Sequence, residues 1–157
     1  MPAARTSPAR PAAAAGPYPV LDVVDGDTAR IQRGGDAVTV RLIGIDTPET
    51  VDPDQPVQCF GPQAAARAAQ LLAGQRVWLE HDPKQGLLDR YGRDLAYVWL
   101  PGGQLANLLL LDGGYAREAG YGLPYRYADT FRAAQATAEL GERGMWSPGT
   151  CNGGTDR

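Results

Sequence analysis

The chain has 157 residues, 43% of them apolar, with a formal net charge of −3. That length suits one domain with tails, and that apolar share is enough to bury a core. The acidic balance excludes a bulk polyanion binder, so any nucleic-acid contact must use a local patch; no run of eighteen apolar residues is present to span a membrane as a helix.

Residues 1–17, "MPAARTSPARPAAAAGP", are rich in Ala and Pro and lack the leucine or phenylalanine run of a complete signal peptide. They read as a disordered linker, of the kind left when a signal or anchor is removed. "PYPVLDVV" (17–24) reads as a strand, and "DTARIQR" (27–33), which alternates, as a second, with Asp25-Gly26 turning between them. "RGGD" (33–36) is another turn and "AVTVRLIGI" (37–45) a third strand, followed by a polar loop holding Pro48, Pro53 and Pro56.

"GPQAAARAAQLLAG" (61–74) predicts a helix with Gly61 at its cap, Pro62 in its first turn and Gly74 as its stop. "QRVWLEHD" (75–82) and "RDLAYVWL" (93–100) are the fourth and fifth strands. "QLANLLLLDGG" (104–114) is a short helix closed by glycine. "YADTFRAAQATAELGERGMW" (127–146) carries the last helix, with Phe131, Ala134, Ala138 and Leu140 near helical spacing. Five short strands, a helix after the third and two more helices predict a five-stranded OB-fold barrel of the α+β class. Trp78, Trp99 and Trp146 are expected to pack in the barrel or against the last helix. His81, the only histidine, has no ligand neighbour in sequence and reads as structural or surface.

Asp25, Asp27, Asp46 and Glu49 form the chemical signal. If the second and third strands pair through "RGGD", the start of one lies beside the end of the other, and Asp27 meets Asp46. Close carboxylates repel. A hard cation removes that repulsion, and oxygen ligands suit Ca²⁺ or Mg²⁺. The plain alternative is that "DG" and "DTP" are ordinary turns. Two carboxylate clusters with Arg41 within 25 residues favour a site.

Cys59 and Cys151 lack metal-ligand spacing. They are either two unrelated thiols or one disulfide pinning the C-terminus to the loop before the first helix, and the disulfide is preferred. Closing a loop of ~90 residues would stabilise by about 4–5 kcal/mol on the chain-entropy account. A bridge implies an oxidising compartment.

"VVDGDTARI", "VRLIGIDTPET", "FGPQAA" and "DRYGRDLAYV", in this order and spacing, resemble the staphylococcal nuclease family, and "GERGMW" resembles the end of that family's last helix. The likeness covers residues 18–148, which sets the domain bounds, with 149–157 as a tail. It implies an OB-fold barrel with three helices and a Ca²⁺-dependent phosphodiesterase cutting DNA and RNA, single-stranded or locally unpaired, at the 5′ P–O bond to leave 3′-phosphates. By motif match, Asp27, Asp46 and the Thr47 carbonyl would be calcium ligands, with Asp25 and Glu49 close by. Glu49 would orient or deprotonate the attacking water. Arg41 and Arg93 would bind the scissile phosphate. Arg90 and Tyr91 match positions that contact a nucleotide phosphate. Tyr121, Tyr125 and Tyr127 lie near base-stacking positions, offset by about one residue, and Tyr121 is the preferred stacker.

The loop "TVDPDQPVQC" is acidic where the family's best-known member is basic, which predicts weaker and less salt-dependent binding. Arg41 has a plain alternative role, pairing with Asp46 or Glu49. Arg93 could be a surface cation opening a strand. The resemblance implies a secreted or cell-envelope monomer. The competing function is a non-catalytic nucleic-acid-binding module of the same fold. The presence of Asp27, Arg41, Asp46, Glu49 and Arg93 together argues for the enzyme.

Overall fold

In the computed structural model, residues 7–52, 54 and 56–155 are described. Strand β1 (Ala15–Asp25) pairs antiparallel with β2 (Thr28–Arg33) along its second half, through Val20 with Ile31 and Asp25 with Thr28. Its first half pairs with β5 (Arg76–Glu80), through Ala15 with Leu79 and Tyr18 with Val77. Register breaks between Val20 and Asp22 and between Val23 and Asp25 bend the strand so that it serves both neighbours. β2 continues into β3 (Asp36–Leu42) in unbroken antiparallel register, Thr28 opposite Arg41 and Arg33 opposite Asp36. β3 runs parallel to β6 (Asp94–Trp99), and β6 pairs antiparallel with β5. The order β1-β2-β3-β6-β5 closes on itself. A five-stranded closed barrel with three helices is the expected OB-fold.

The barrel fills with alternating inward side chains: Ile31, Val40, Leu42, Val77, Leu79 and Ala96 are all nearly inaccessible. Helix α1 (Gly61–Leu72) turns Ala64, Ala68 and Leu72 inward at four-residue spacing. Its cap is Phe60, in the left-handed region with φ 71°, one residue before the expected Gly61. Helix α2 (Ala106–Asp112) buries Leu108, Leu110, Leu111 and Asn107. Asn107 donates to the Ile43 carbonyl at 2.8 Å and accepts from Val98 N–H at 3.0 Å, fastening the end of the third strand to β6. Helix α3 (Ala128–Leu140) buries Phe131, Ala134 and Ala138. A 3₁₀ turn follows at Gly144–Trp146.

Several expectations are corrected. The third strand does not run through to residue 45. It stops at Leu42, and Ile45–Asp46 form a separate short strand, β4, paired with β7 (Arg117–Glu118). Gly44 makes the break: its φ is +80°, and a Cβ there would lie 2.7 Å from Tyr125 and 2.8 Å from Phe131. Leu140 is 87% exposed and belongs to no apolar face. Residues 1–6 of the expected linker lie outside the described residues. Ala15 to Pro17 are strand, because Ala15 finds Leu79 as its partner, and the Arg10 guanidinium lies 3.9 Å over the Trp78 ring. Trp99 is fully buried, whereas Trp78 and Trp146 are half-buried. His81 is structural: its Nε2 lies 3.2 Å from Asp94, which also pairs with Arg33.

Cys59 and Cys151 are bridged. The tail folds back with them: Cys59 N–H donates to the Thr155 carbonyl at 2.9 Å, Gly153 N–H to Met145, and Arg117 to the Gly153 carbonyl.

Candidate active site

The Asp25-Gly26-Asp27 turn joins β1 to β2 and meets the segment after β4. Gly26 is required there, because a Cβ would lie 2.7–2.8 Å from the Thr47 side chain. Leu42 N–H donates to the Asp27 carbonyl, and Thr47 N–H donates to Asp27 Oδ2 at 3.1 Å. The β2–β3 hairpin therefore does place Asp27 beside the Asp46-Thr47 pair.

Asp25 is buried and holds the following loop. It accepts from Thr50 Oγ1 at 2.7 Å and from Gly26 N–H at 2.9 Å. Burial pushes its carboxyl above the usual range despite those bonds, and the nearby Asp27 and Glu49 add to the shift. Asp46 is also pushed up, first by burial and then by Asp27, with Arg41 opposing.

Arg41 is 8% exposed. One terminal nitrogen donates to the carbonyls of Leu42 and Ile45 at 2.7 and 2.8 Å, gripping the chain around Gly44. The other donates to the Tyr121 hydroxyl at 2.9 Å and lies 3.3 Å from Asp27 and 3.6 Å from Asp46. Its ion partners are therefore Asp27 and Asp46, and no pairing with Glu49 is present. Arg93 is not a loose surface cation. Its Nε donates to Asp89 Oδ2 at 2.6 Å, and its backbone N–H donates to Asp89 Oδ1. Burial alone would raise the Asp89 carboxyl, but those bonds and one from Tyr91 N–H hold it below the usual range. Arg90 donates to the Tyr91 hydroxyl, and the guanidiniums of Arg90 and Arg93 lie 4.8 and 5.3 Å from the Tyr91 ring.

Glu49 sits on the loop between β4 and α1. Its Oε1 accepts from Val51 and Asp52 N–H at 2.9 and 2.8 Å. Its backbone N–H donates to Gln58 Oε1, and its carbonyl accepts from Gln58 N–H, both at 2.9 Å.

These groups share one cleft of about 1050 Å³, lined among others by Asp25, Asp27, Arg41, Asp46, Glu49, Arg90, Tyr91, Arg93 and Tyr121. Thr47 lies buried beside it, and its Oγ1 has no hydrogen-bond partner. The tyrosines separate cleanly. Tyr121 is 68% exposed, whereas Tyr125 and Tyr127 are 4% and 7% exposed. Tyr125 donates to Glu118 at 2.7 Å and Tyr127 to Glu80 at 2.8 Å, and both rings contact Phe131. They are core residues. Among the described residues, nine large apolar side chains are exposed, and six of them line this cleft: Val24, Val51, Leu88, Tyr91, Tyr121 and Leu123.

The sequence reading missed Asp89 and Gln58. For Asp89 the signal was present as an acid four residues before Arg93 in "DRYGR"; nothing comparable marks Gln58.

Among the described residues, no three His, Cys, Asp or Glu side chains converge to hold a metal by themselves. The ligands expected from the resemblance, Asp27, Asp46 and the Thr47 carbonyl, are all hard oxygens, and water would have to complete a six- to eight-fold calcium shell around them. Asp25 and Asp46 are both pushed away from their charged forms, first by burial and in lesser part by the neighbouring carboxylates, and a bound cation would offset both effects.

The family model described as staphylococcal nuclease homologue matches residues 39–148. A thermonuclease of Staphylococcus hyicus is 42% identical over 130 residues, covering 83% of this chain and 75% of the relative. A thermonuclease of Staphylococcus intermedius is 44% identical over 131 residues, covering 82% and 75%. Endonuclease YncB of Bacillus subtilis (strain 168) is 36% identical over 124 residues, covering 79% of this chain and 58% of the relative.

Proposed function

The chain belongs to the staphylococcal nuclease family and is a nuclease hydrolysing nucleic acids, and we propose that it is calcium-dependent, acts on DNA and RNA, and cleaves at the 5′ P–O bond to leave 3′-phosphate ends. The observation that carries this reading is the meeting of Asp27, Arg41, Asp46, Glu49 and Arg93 around one cleft.

Asp27, Asp46 and the Thr47 carbonyl would hold the calcium ion, which when bound supplies positive charge to polarise the phosphate. Arg41 and Arg93 bind the phosphate oxygens. Their planar forks face charge that grows as the water oxygen bonds to phosphorus and the 5′ oxygen departs. Arg41 reaches that state already fixed by two backbone carbonyls, and Arg93 by Asp89, so neither must be ordered during the reaction. Glu49 accepts the proton of the attacking water or orients it. Its Oε1 holds the loop N–H groups, and Oε2 has no hydrogen-bond partner among the described residues. Tyr121, tied to Arg41 by its hydroxyl, offers its ring to a base. Arg90 and Tyr91 contact the neighbouring phosphate.

An unpaired strand is the preferred substrate, because stacking on Tyr121 needs a base out of its duplex. The disulfide fits a secreted or cell-envelope protein, acting as a monomer. The test is digestion of single-stranded DNA with excess Ca²⁺, beside an EGTA control and the Glu49→Gln variant. Cleavage that needs calcium and collapses in the variant supports the assignment. Intact DNA in every tube with binding still measurable identifies a non-catalytic module.

A further inference from the structure

We infer that Gln58 is a positioning residue for Glu49, and that the Cys59–Cys151 bridge anchors it to the C-terminal tail. The inference rests on the role proposed for Glu49. The loop between β4 and α1 has no secondary structure of its own over residues 47–52, yet it must hold Glu49 to within fractions of an ångström for water activation. Gln58 meets this need at both backbone atoms of Glu49. Its side-chain Oε1 takes the Glu49 N–H and its own N–H gives to the Glu49 carbonyl, both at 2.9 Å. The two bonds close a ring across the base of the loop and fix the Glu49 backbone, while the Val51 and Asp52 N–H groups hold its carboxylate.

A clamp is only as fixed as its own anchor. Gln58 precedes Cys59, whose sulfur is bonded to Cys151 and whose N–H donates to the Thr155 carbonyl at 2.9 Å. The tail is held in turn by Gly153 N–H on the Met145 carbonyl and by Arg117 on the Gly153 carbonyl. Met145 is fully buried. Arg117 belongs to β7, and its Cα partner across the strand pair is Asp46. The brace therefore begins and ends at the site: Glu49, Gln58, Cys59, the tail, Arg117, Asp46. On the other side, Gly61 lets α1 start against the loop, since a Cβ there would lie 2.9 Å from the Glu49 carbonyl.

The test compares Gln58→Leu, Gln58→Glu and Glu49→Gln on an oligonucleotide, measuring kcat, KM, calcium half-saturation and Tm. Gln58→Leu keeps the side-chain bulk and removes the acceptor. Its kcat should fall by about 10- to 100-fold, with KM and calcium half-saturation nearly unchanged. Gln58→Glu keeps an acceptor oxygen and should restore most of the kcat. A general structural role would instead move Tm and all the kinetic constants together. Parent-like kcat in Gln58→Leu, with Glu49→Gln inactive, overturns the inference while leaving the nuclease assignment intact. An active Glu49→Gln variant overturns the role proposed for Glu49, and this inference with it. Should Gln58→Leu fail to fold, the Cys59→Ser/Cys151→Ser double variant takes its place: a selective loss of kcat supports the brace, and an unchanged kcat overturns it.

Discussion

Raising the salt concentration is the most direct probe of how this cleft holds a polyanion. The cleft is lined by six carboxylates (Asp25, Asp27, Asp46, Glu49, Asp52 and Asp89) against three guanidiniums (Arg41, Arg90 and Arg93). A bound divalent cation would still leave the carboxylates in excess. At most three phosphates can therefore be neutralised by side chains. For single strands log K falls with log salt at about −0.7 per phosphate, so the slope should be no steeper than about −2. Raising salt from about 50 to about 200 mM should then weaken binding by no more than roughly 20-fold, where a protein with six to ten phosphate contacts loses about 10³- to 10⁵-fold. The remaining affinity would come from the apolar rim, with Tyr121 able to contribute about 1–3 kcal/mol by stacking. The assay is fluorescence anisotropy of a labelled oligothymidylate with the Glu49→Gln variant in constant excess Ca²⁺. A slope steeper than about −4 would refute the reasoning and require a cationic surface outside the cleft.

Four further outcomes are expected. Arg93→Ala should lower kcat by about 10²- to 10³-fold and change Tm little, because Asp89 keeps its backbone donors; Arg41→Ala should lose similar activity and, by orphaning the Leu42 and Ile45 carbonyls, also on the order of 1–3 kcal/mol in denaturant titration. Tyr121→Leu should raise KM for single-stranded substrate more than it lowers kcat, as read from initial rates. Asp82 is pushed up by burial, but the Tyr97 hydroxyl and the Arg126 and Lys84 N–H groups outweigh that and hold it below 3.8. Its contribution to stability is thus present above about pH 4 and is lost as pH falls through its lowered folded value, so Asp82→Asn should flatten the acid limb of stability measured by urea unfolding between about pH 4 and pH 2.

The barrel was legible because its strands alternate cleanly and its turns carry glycine. "DTARIQR" and "RGGD" specify a hairpin that sets Thr28 opposite Arg41, and the chain then turns at Gly44 to bring Asp46 to Asp27. The break at Gly44 was not legible, since "LIGI" reads as continuous strand until Phe131 of α3 and Tyr125, just before that helix, close on the glycine. β7 has two residues and no periodicity of its own; it exists only because β4 is there to pair with. The three tyrosines of "GYGLPYRY" look alike in one dimension. What separates them is that Glu118, on the short strand β7, and Glu80, on β5, accept the hydroxyls of Tyr125 and Tyr127 and leave Tyr121 outside. The resemblance led to Arg41 as an expected phosphate ligand, but its grip on the turn was not legible, because those bonds go to backbone atoms and leave no trace in residue type.

That grip has an evolutionary side. A domain of this fold drifting away from catalysis could shed Arg93 or Glu49 at modest cost, since Asp89 would keep its backbone donors and the loop N–H groups held by Glu49 could turn to water. It could not shed Arg41 so easily, because the carbonyls of Leu42 and Ile45 would be stranded and the two aspartates left facing each other. Inert descendants should therefore keep this arginine long after losing the reaction. Its presence in a relative speaks for the turn, and on the roles proposed for them the survival of Glu49 and Arg93 is the better mark of a working nuclease.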